Sequence, residues 1–201
     1  TNVDANSAVK GASLTSITLD NADTAARTIT VTNGTASHEL TINSATTGYA
    51  ANGTTEYQTV VTDAAATTLN VVASGKTSLD LSNNSAATTI NVSGAGAVKL
   101  AADMATVTSI SATGSSGGVN IGAVNAATLA VTGGSGNDLL TLDTASIAYD
   151  VDMGAGDDTV TLTAALAATA AIDGGAGTDT LSINNATATL LTDAIKDGVT
   201  G

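Results

Sequence analysis

The chain has 201 residues, a formal net charge of −13, and no Cys, Pro, Phe or Trp. With three tyrosines as its only aromatics and no disulfides, its core is expected to come from Val, Ile, Leu and Ala, which fill a thin interior between close sheets better than a wide one. Five bases against eighteen acids cannot neutralise a phosphate backbone, so nucleic acid is excluded as a partner. No apolar run reaches the length of a membrane span, and none of these residues reads as a signal peptide. Opening on Thr1 and ending at Gly201, the chain reads as a segment of something longer.

Pairs of aliphatics flanking one small or polar residue mark strands with one buried face. Residues 1–58 carry three, Ile17/Leu19, Ile29/Val31 and Leu40/Ile42, and are expected to form N-terminal β coils. The register drops over 43–58, read as a protruding loop holding Tyr49 and Tyr57, or equally as a join between an N-terminal subdomain and the regular solenoid. Residues 59–130 continue as a regular solenoid with Leu69/Val71, Leu79/Leu81, Ile90/Val92, Val98/Leu100 and Val119/Ile121. Residues 131–186 add Leu140/Leu142, Tyr149/Val151, Val160/Leu162 and Leu181/Ile183. Residues 187–201 are a C-terminal cap or the start of a next segment, with Thr189–Lys196 as the one plausible helix.

The spacing selects the architecture. From Ile110, equivalent aliphatics fall at intervals of 11, 10, 11, 9, 11, 10 and 11 residues, through Ile121, Val131, Leu142, Val151, Leu162, Ile172 and Ile183. The 11-residue interval returns every second step, so the repeat is 20–21 residues. A coil of two strands and two turns, each edge keeping its own turn type, accounts for this; a hairpin meander does not. The expected fold is all-β, a parallel β-solenoid of roughly eight coils, about 38 Å long at ~4.8 Å per coil.

The 11-residue edge carries the candidate chemistry. Its last three turns are Gly133-Gly134-Ser135-Gly136-Asn137-Asp138, Met153-Gly154-Ala155-Gly156-Asp157-Asp158 and Gly174-Gly175-Ala176-Gly177-Thr178-Asp179. Glycines permit a tight turn with positive φ and aim several carbonyls to one side. Ca²⁺ takes six to eight oxygen ligands, which carbonyls plus a carboxylate can supply. One coil upstream, the turn at 112–117 has Gly117 where the Asp would stand, and the ion stack is expected to weaken there.

These turns resemble the G-G-x-G-x-D-x-U-x repeat of RTX proteins. The resemblance implies a right-handed parallel β-roll. It also implies calcium held between stacked turns by Gly133, Gly134, Ser135, Gly136, Asp138, Met153, Gly154, Ala155, Gly156, Asp158, Gly174, Gly175, Ala176, Gly177 and Asp179. Three turns then make two sites. Two departures stand out: only one edge carries the motif, and Met153 replaces a glycine.

Other candidates are weaker. His38 is the only histidine and reads as a surface strand residue, with no second His or any Cys to build a zinc or nucleophile set. Asp150 and Asp152 flank Val151 and point the same way, which suits charged solvent-face positions or auxiliary ion ligands better than acid–base work. The Thr28/Thr30/Thr32 and Thr159/Thr161/Thr163 rows do not extend into a flat array. Gly94-Ala95-Gly96 has neither the Lys nor the helix start of a nucleotide loop. No catalysis is expected from this segment.

Three functions remain. In composition and motif the chain resembles the calcium-dependent surface-layer proteins of Caulobacter-type bacteria. That resemblance implies type I secretion, a place on the bacterial cell surface, and self-assembly into a lattice. Cell-surface polysaccharide is a further candidate partner. The alanine-rich stretches Ala145–Ala148 and Ala164–Ala168, on the opposite edge, would give small apolar assembly surface. A repeat module of a secreted RTX adhesin and a calcium-binding carrier domain of a type I-secreted enzyme are the alternatives.

Overall fold

A computed structural model describes residues 6–19, 23–101, 104–122, 126, 128–144, 148–165 and 169–183. The strands begin with β1 (Ser7–Gly11), β2 (Ser16–Leu19), β3 (Arg27–Asn33), β4 (His38–Ser44), β5 (Thr59–Thr62), β6 (Ala66–Ala73), β7 (Thr77–Asp80) and β8 (Thr89–Gly94). They continue with β9 (Val98–Leu100), β10 (Ser109–Ser115), β11 (Val119–Ile121), β12 (Thr128–Thr132), β13 (Leu139–Leu142), β14 (Ala148–Asp152), β15 (Thr159–Leu162), β16 (Ala171–Asp173) and β17 (Thr180–Ile183). Odd-numbered strands make one nine-stranded sheet and even-numbered strands an eight-stranded one, each in running order. All pairings between these strands are parallel. The chain is therefore a two-sheet parallel β-solenoid of about eight turns, all-β and without a helix among the described residues.

Period-2 alternation builds it directly. In β13 and β15 every second residue is buried, so Leu140, Leu142, Val160 and Leu162 face inward while Thr141 and Thr161 face out. One aliphatic core runs from Ile17 to Ile172 between the sheets, so the stretches distinguished by motif share both sheets and one interior. Tyr149 is the largest side chain inside, with its hydroxyl donating to the Thr144 carbonyl at 3.2 Å. From β5 onward the coil length is 19–21 residues, as in Val60↔Asp80, Leu79↔Leu100, Ile121↔Leu140 and Val160↔Leu181. The earlier coils are longer: Ile17 pairs with Ile42, and Ile29 with Val61.

The extra length in the second of these is the 43–58 segment. Asn43 and Ser44 complete β4, and much of the remaining segment is packed against the sheet. Thr47 and Tyr49 are buried, Thr47 pairs with Thr77, and Tyr49 pairs with Glu56. Asp23 holds the segment down. Its buried carboxylate accepts hydrogen bonds from the Gly48 amide at 2.6 Å and the Thr59 hydroxyl at 2.8 Å, and it pairs with Arg27 at 2.9 Å. The Asp23 amide donates to the Tyr49 carbonyl at 2.7 Å. Gly48, at φ 75°, leaves no room for a Cβ, which would lie 2.2 Å from the Ser78 carbonyl oxygen. Only the tip around Ala51, Asn52 and Thr54–Glu56 reaches solvent fully.

The histidine also sits differently from the surface position expected of it. Its side chain is largely buried, with Nε2 at 2.8 Å from the Asp63 carboxylate and Nδ1 at 3.0 Å from the Thr35 carbonyl. Both ring nitrogens face acceptors, an arrangement that ties β4 to the turn after β5. The expected helix Thr189–Lys196 lies outside the described residues, as do 145–147 and 166–168 of the alanine-rich stretches.

Candidate metal centre

The three glycine-rich turns connect even-numbered to odd-numbered strands: β12 to β13, β14 to β15 and β16 to β17. All three lie on one edge, stacked in register, with Leu139 opposite Thr159 and Thr159 opposite Thr180. The residue before each strand is the motif Asp, so Asp138, Asp158 and Asp179 form a column. All three are buried, at 4%, 1% and 8% exposure.

The column is linked by its own hydrogen bonds. The Asp158 amide donates to Asp179 Oδ1 at 3.0 Å, the Asp138 amide to Asp158 Oδ1 at 2.7 Å, and the Val119 amide to Asp138 Oδ1 at 2.6 Å. Each carboxylate thus caps the preceding coil. Register places Val119, not Gly117, opposite Asp138, and continues upstream through Val98 to Thr77. The edge column therefore reads Thr77, Val98, Val119, Asp138, Asp158, Asp179. Its change from apolar to carboxylate is abrupt.

The second oxygens are not equally provided for. Asp138 Oδ2 accepts the Gly134 amide at 2.8 Å. Asp158 Oδ2 and Asp179 Oδ2 are buried without a hydrogen-bond partner. A buried carboxylate oxygen left unpaired is costly, and it is met by a proton or a cation. Burial, reinforced by the neighbouring Asp138, Asp179 and Asp157, pushes the Asp158 carboxyl up to about 6. Burial also raises Asp138, with the Gly134 and Val119 amides pulling the other way.

The backbone is shaped around these carboxylates. Gly154 and Gly175 have φ of 87° and 83°, the left-handed region that glycine adopts without strain. A Cβ on Gly174 would lie 2.6 Å from Asp179 Oδ2, so the side chain folds back into space only glycine leaves. Met153 takes the position equivalent to Gly133 by turning its side chain into the core, where it is 1% exposed. Between turns, the Ala155 amide donates to the Gly134 carbonyl and the Ala176 amide to the Gly154 carbonyl, at 2.9 and 2.8 Å. A carbonyl oxygen keeps a second lone pair in such a bond.

A second column runs outside the first. The Asp157 amide donates to Asn137 Oδ1 at 3.1 Å and the Thr178 amide to Asp157 Oδ1 at 2.9 Å. Asp152 and Asp173, paired in register at the ends of β14 and β16, accept the Gly154 and Gly175 amides at 3.0 Å. These four residues stabilise the turns from outside. Of the four, only Asp152 stands out in sequence, beside Val151; Asn137 and Asp157 lie at a variable position of the repeat, one residue before the motif Asp, and Asp173 carries no signal of its own. Asp150 lies outward on β14 opposite Ala130 and Ala171, without an acidic register partner.

No family model, curated protein or solved structure matches the chain. Among the described residues no three His, Cys, Asp or Glu side chains are grouped so that they alone could hold a metal ion. An ion on this edge would draw one or two carboxylates from the column and the rest of its shell from carbonyls. That donor set suits a hard cation with a large, flexible oxygen shell.

Proposed function

We propose that the chain is a calcium-dependent structural protein of a bacterial surface layer, which folds and assembles outside the cell. The calcium part rests on one observation: two buried carboxylate oxygens, Asp158 Oδ2 and Asp179 Oδ2, unpaired on stacked turns rich in carbonyls. There are as many unpaired oxygens as gaps between the three turns. The ions would be held by the column aspartates and by carbonyls of 133–136, 153–156 and 174–177, and would supply the positive charge that the column lacks. The RTX-like motif supports the same choice of ion.

The surface-layer part rests on the resemblance to Caulobacter-type proteins and on the architecture. A prism of about eight coils with a continuous aliphatic interior is a stiff building unit, and no catalytic role is assigned to it. Inside a cell, where calcium is scarce, the charged column opposes folding of the C-terminal coils. Millimolar external calcium then supplies folding energy through binding. Electron microscopy of the purified chain, with about 5 mM calcium chloride and then with chelator, tests the assembly. Ordered two-dimensional sheets that dissolve in chelator are expected. Dispersed rods in calcium would overturn the lattice and favour the adhesin module.

A further inference from the structure

Away from the acidic edge, the described residues form a cleft with the opposite character. It lies on the outer face of the odd-numbered sheet, where the 43–58 segment meets β7, β9 and β11. Its volume is about 290 Å³, and its lining includes Tyr49, Lys76, Lys99, Asn120, Asn137 and Leu139. That is the small end of ligand-site sizes, enough for one or two sugar rings and too small for an extended peptide.

The charges there are arranged in a definite way. Lys76 Nζ sits 4.3 Å from the Tyr49 ring centroid and donates to the Gly53 carbonyl at 2.9 Å. Lys99 Nζ donates to Glu56 Oε2 at 2.9 Å, and Glu56 Oε1 accepts the Ser78 hydroxyl at 2.7 Å. Burial alone would raise the Glu56 carboxyl, but Lys99 and Ser78 prevail and hold it below the ordinary carboxylate range. Two ammonium groups against one carboxylate leave the cleft positive, in a chain of net charge −13. Each ammonium has three donors and one of these contacts uses only one of them.

The outward register column beside them runs Ser78, Lys99, Asn120, Leu139, one residue per coil. Amide and ammonium donors about 4.8 Å apart, beside a partly apolar floor, match the hydroxyls and carboxylate of a sugar ring. We propose that this cleft binds a saccharide bearing an acidic group, with Lys76 and Lys99 on the carboxylate and Asn120 on ring hydroxyls. The rest of the acidic surface repels such an anionic saccharide, so contact is confined to this cleft.

The test uses the full chain in calcium buffer and a glucuronate-bearing disaccharide, its methyl ester and sodium acetate as probes. Two-dimensional amide NMR should show saturable shifts at residues 76, 99, 118–120 and 137 with the acidic disaccharide. The doubly substituted Lys76→Gln/Lys99→Gln chain should bind about tenfold more weakly, and Lys10→Gln, in β1, as tightly as the parent. Asn120→Ala, at a half-exposed position, should weaken binding without changing the circular dichroism spectrum. Absence of saturable shifts, equal binding of the methyl ester, acetate binding as tightly as the disaccharide, or equal loss in Lys10→Gln would each overturn the assignment. Only Asn137 belongs to a calcium turn, so the calcium reading is tested independently by the stability of the C-terminal coils.

Discussion

Asp158→Asn is expected to abolish most of the stabilisation that calcium confers, while leaving the calcium-free chain as stable as the parent or slightly more so. The two halves of this outcome have different causes. Without calcium, the Asp158 carboxyl is buried between Asp138 and Asp179, and charge there is unfavourable. An amide keeps an oxygen for the Asp138 amide and removes the charge. With calcium bound as proposed, the middle turn would contribute to both sites. A ligand at about a hundred times its Kd stabilises by about 2.7 kcal/mol per site, so losing two sites removes roughly 5 kcal/mol. Asp138→Asn and Asp179→Asn, at the ends of the column, should each remove about half of that. Thermal melts of the three variants, with calcium and with chelator, check the ranking. Equal effects from all three would mean that no ion bridges adjacent turns.

The second large effect is a reversal of pH dependence. The folded Asp158 carboxyl is raised to about 6, above its unfolded value, so the folded chain binds the proton more tightly. Stability from this group is therefore fully present below about pH 4 and is lost as pH rises through about 6. Calcium-stripped protein should gain on the order of 2 kcal/mol between pH 7.5 and pH 4.5. Loaded protein should do the opposite, because protons displace the ion from the same oxygens. Melting temperatures across that range, in stripped and loaded protein, should converge towards low pH. Parallel curves would show that the aspartate column and the ion do not share oxygens.

Much of this fold was legible in the sequence because its core obeys one simple rule. Leu140/Leu142 and Val160/Leu162 are buried by strand alternation alone, and their spacing already implies two strands per coil. The motif aspartates were legible for a similar reason, since each stands just before such a pair. One coil upstream the reading slipped, and the cause is local. β10 carries an irregularity between Ser111 and Gly114, and Asn120 pairs with Leu139 only 19 residues on, which shifts the equivalent of Asp138 from Gly117 to Val119.

What stayed hidden is polar and non-local. Asp23, Asp63 and Asn84 look like solvent-face residues in sequence, yet each is buried in contacts spanning 21 to 36 residues. Asn84, for instance, donates to the Val61 carbonyl at 2.8 Å while its Oδ1 accepts the Asp63 amide at 2.6 Å. No periodicity signals such pairings, because they depend on how one coil's turn lies on the next. The cleft was hidden for the same reason. Its wall is the 43–58 segment, whose broken register conceals the buried Asp23 contacts that fix it.

Whether calcium completes the aspartate column is decided by measuring calcium binding to the stripped chain by equilibrium dialysis, with hydrogen exchange on the same samples. Two ions per chain are expected, together with slowed exchange at residues 133–138, 153–158 and 174–179 and little change in β3 to β8. Unchanged exchange at those turns, or no stoichiometric binding at millimolar calcium, would contradict calcium's role in the column.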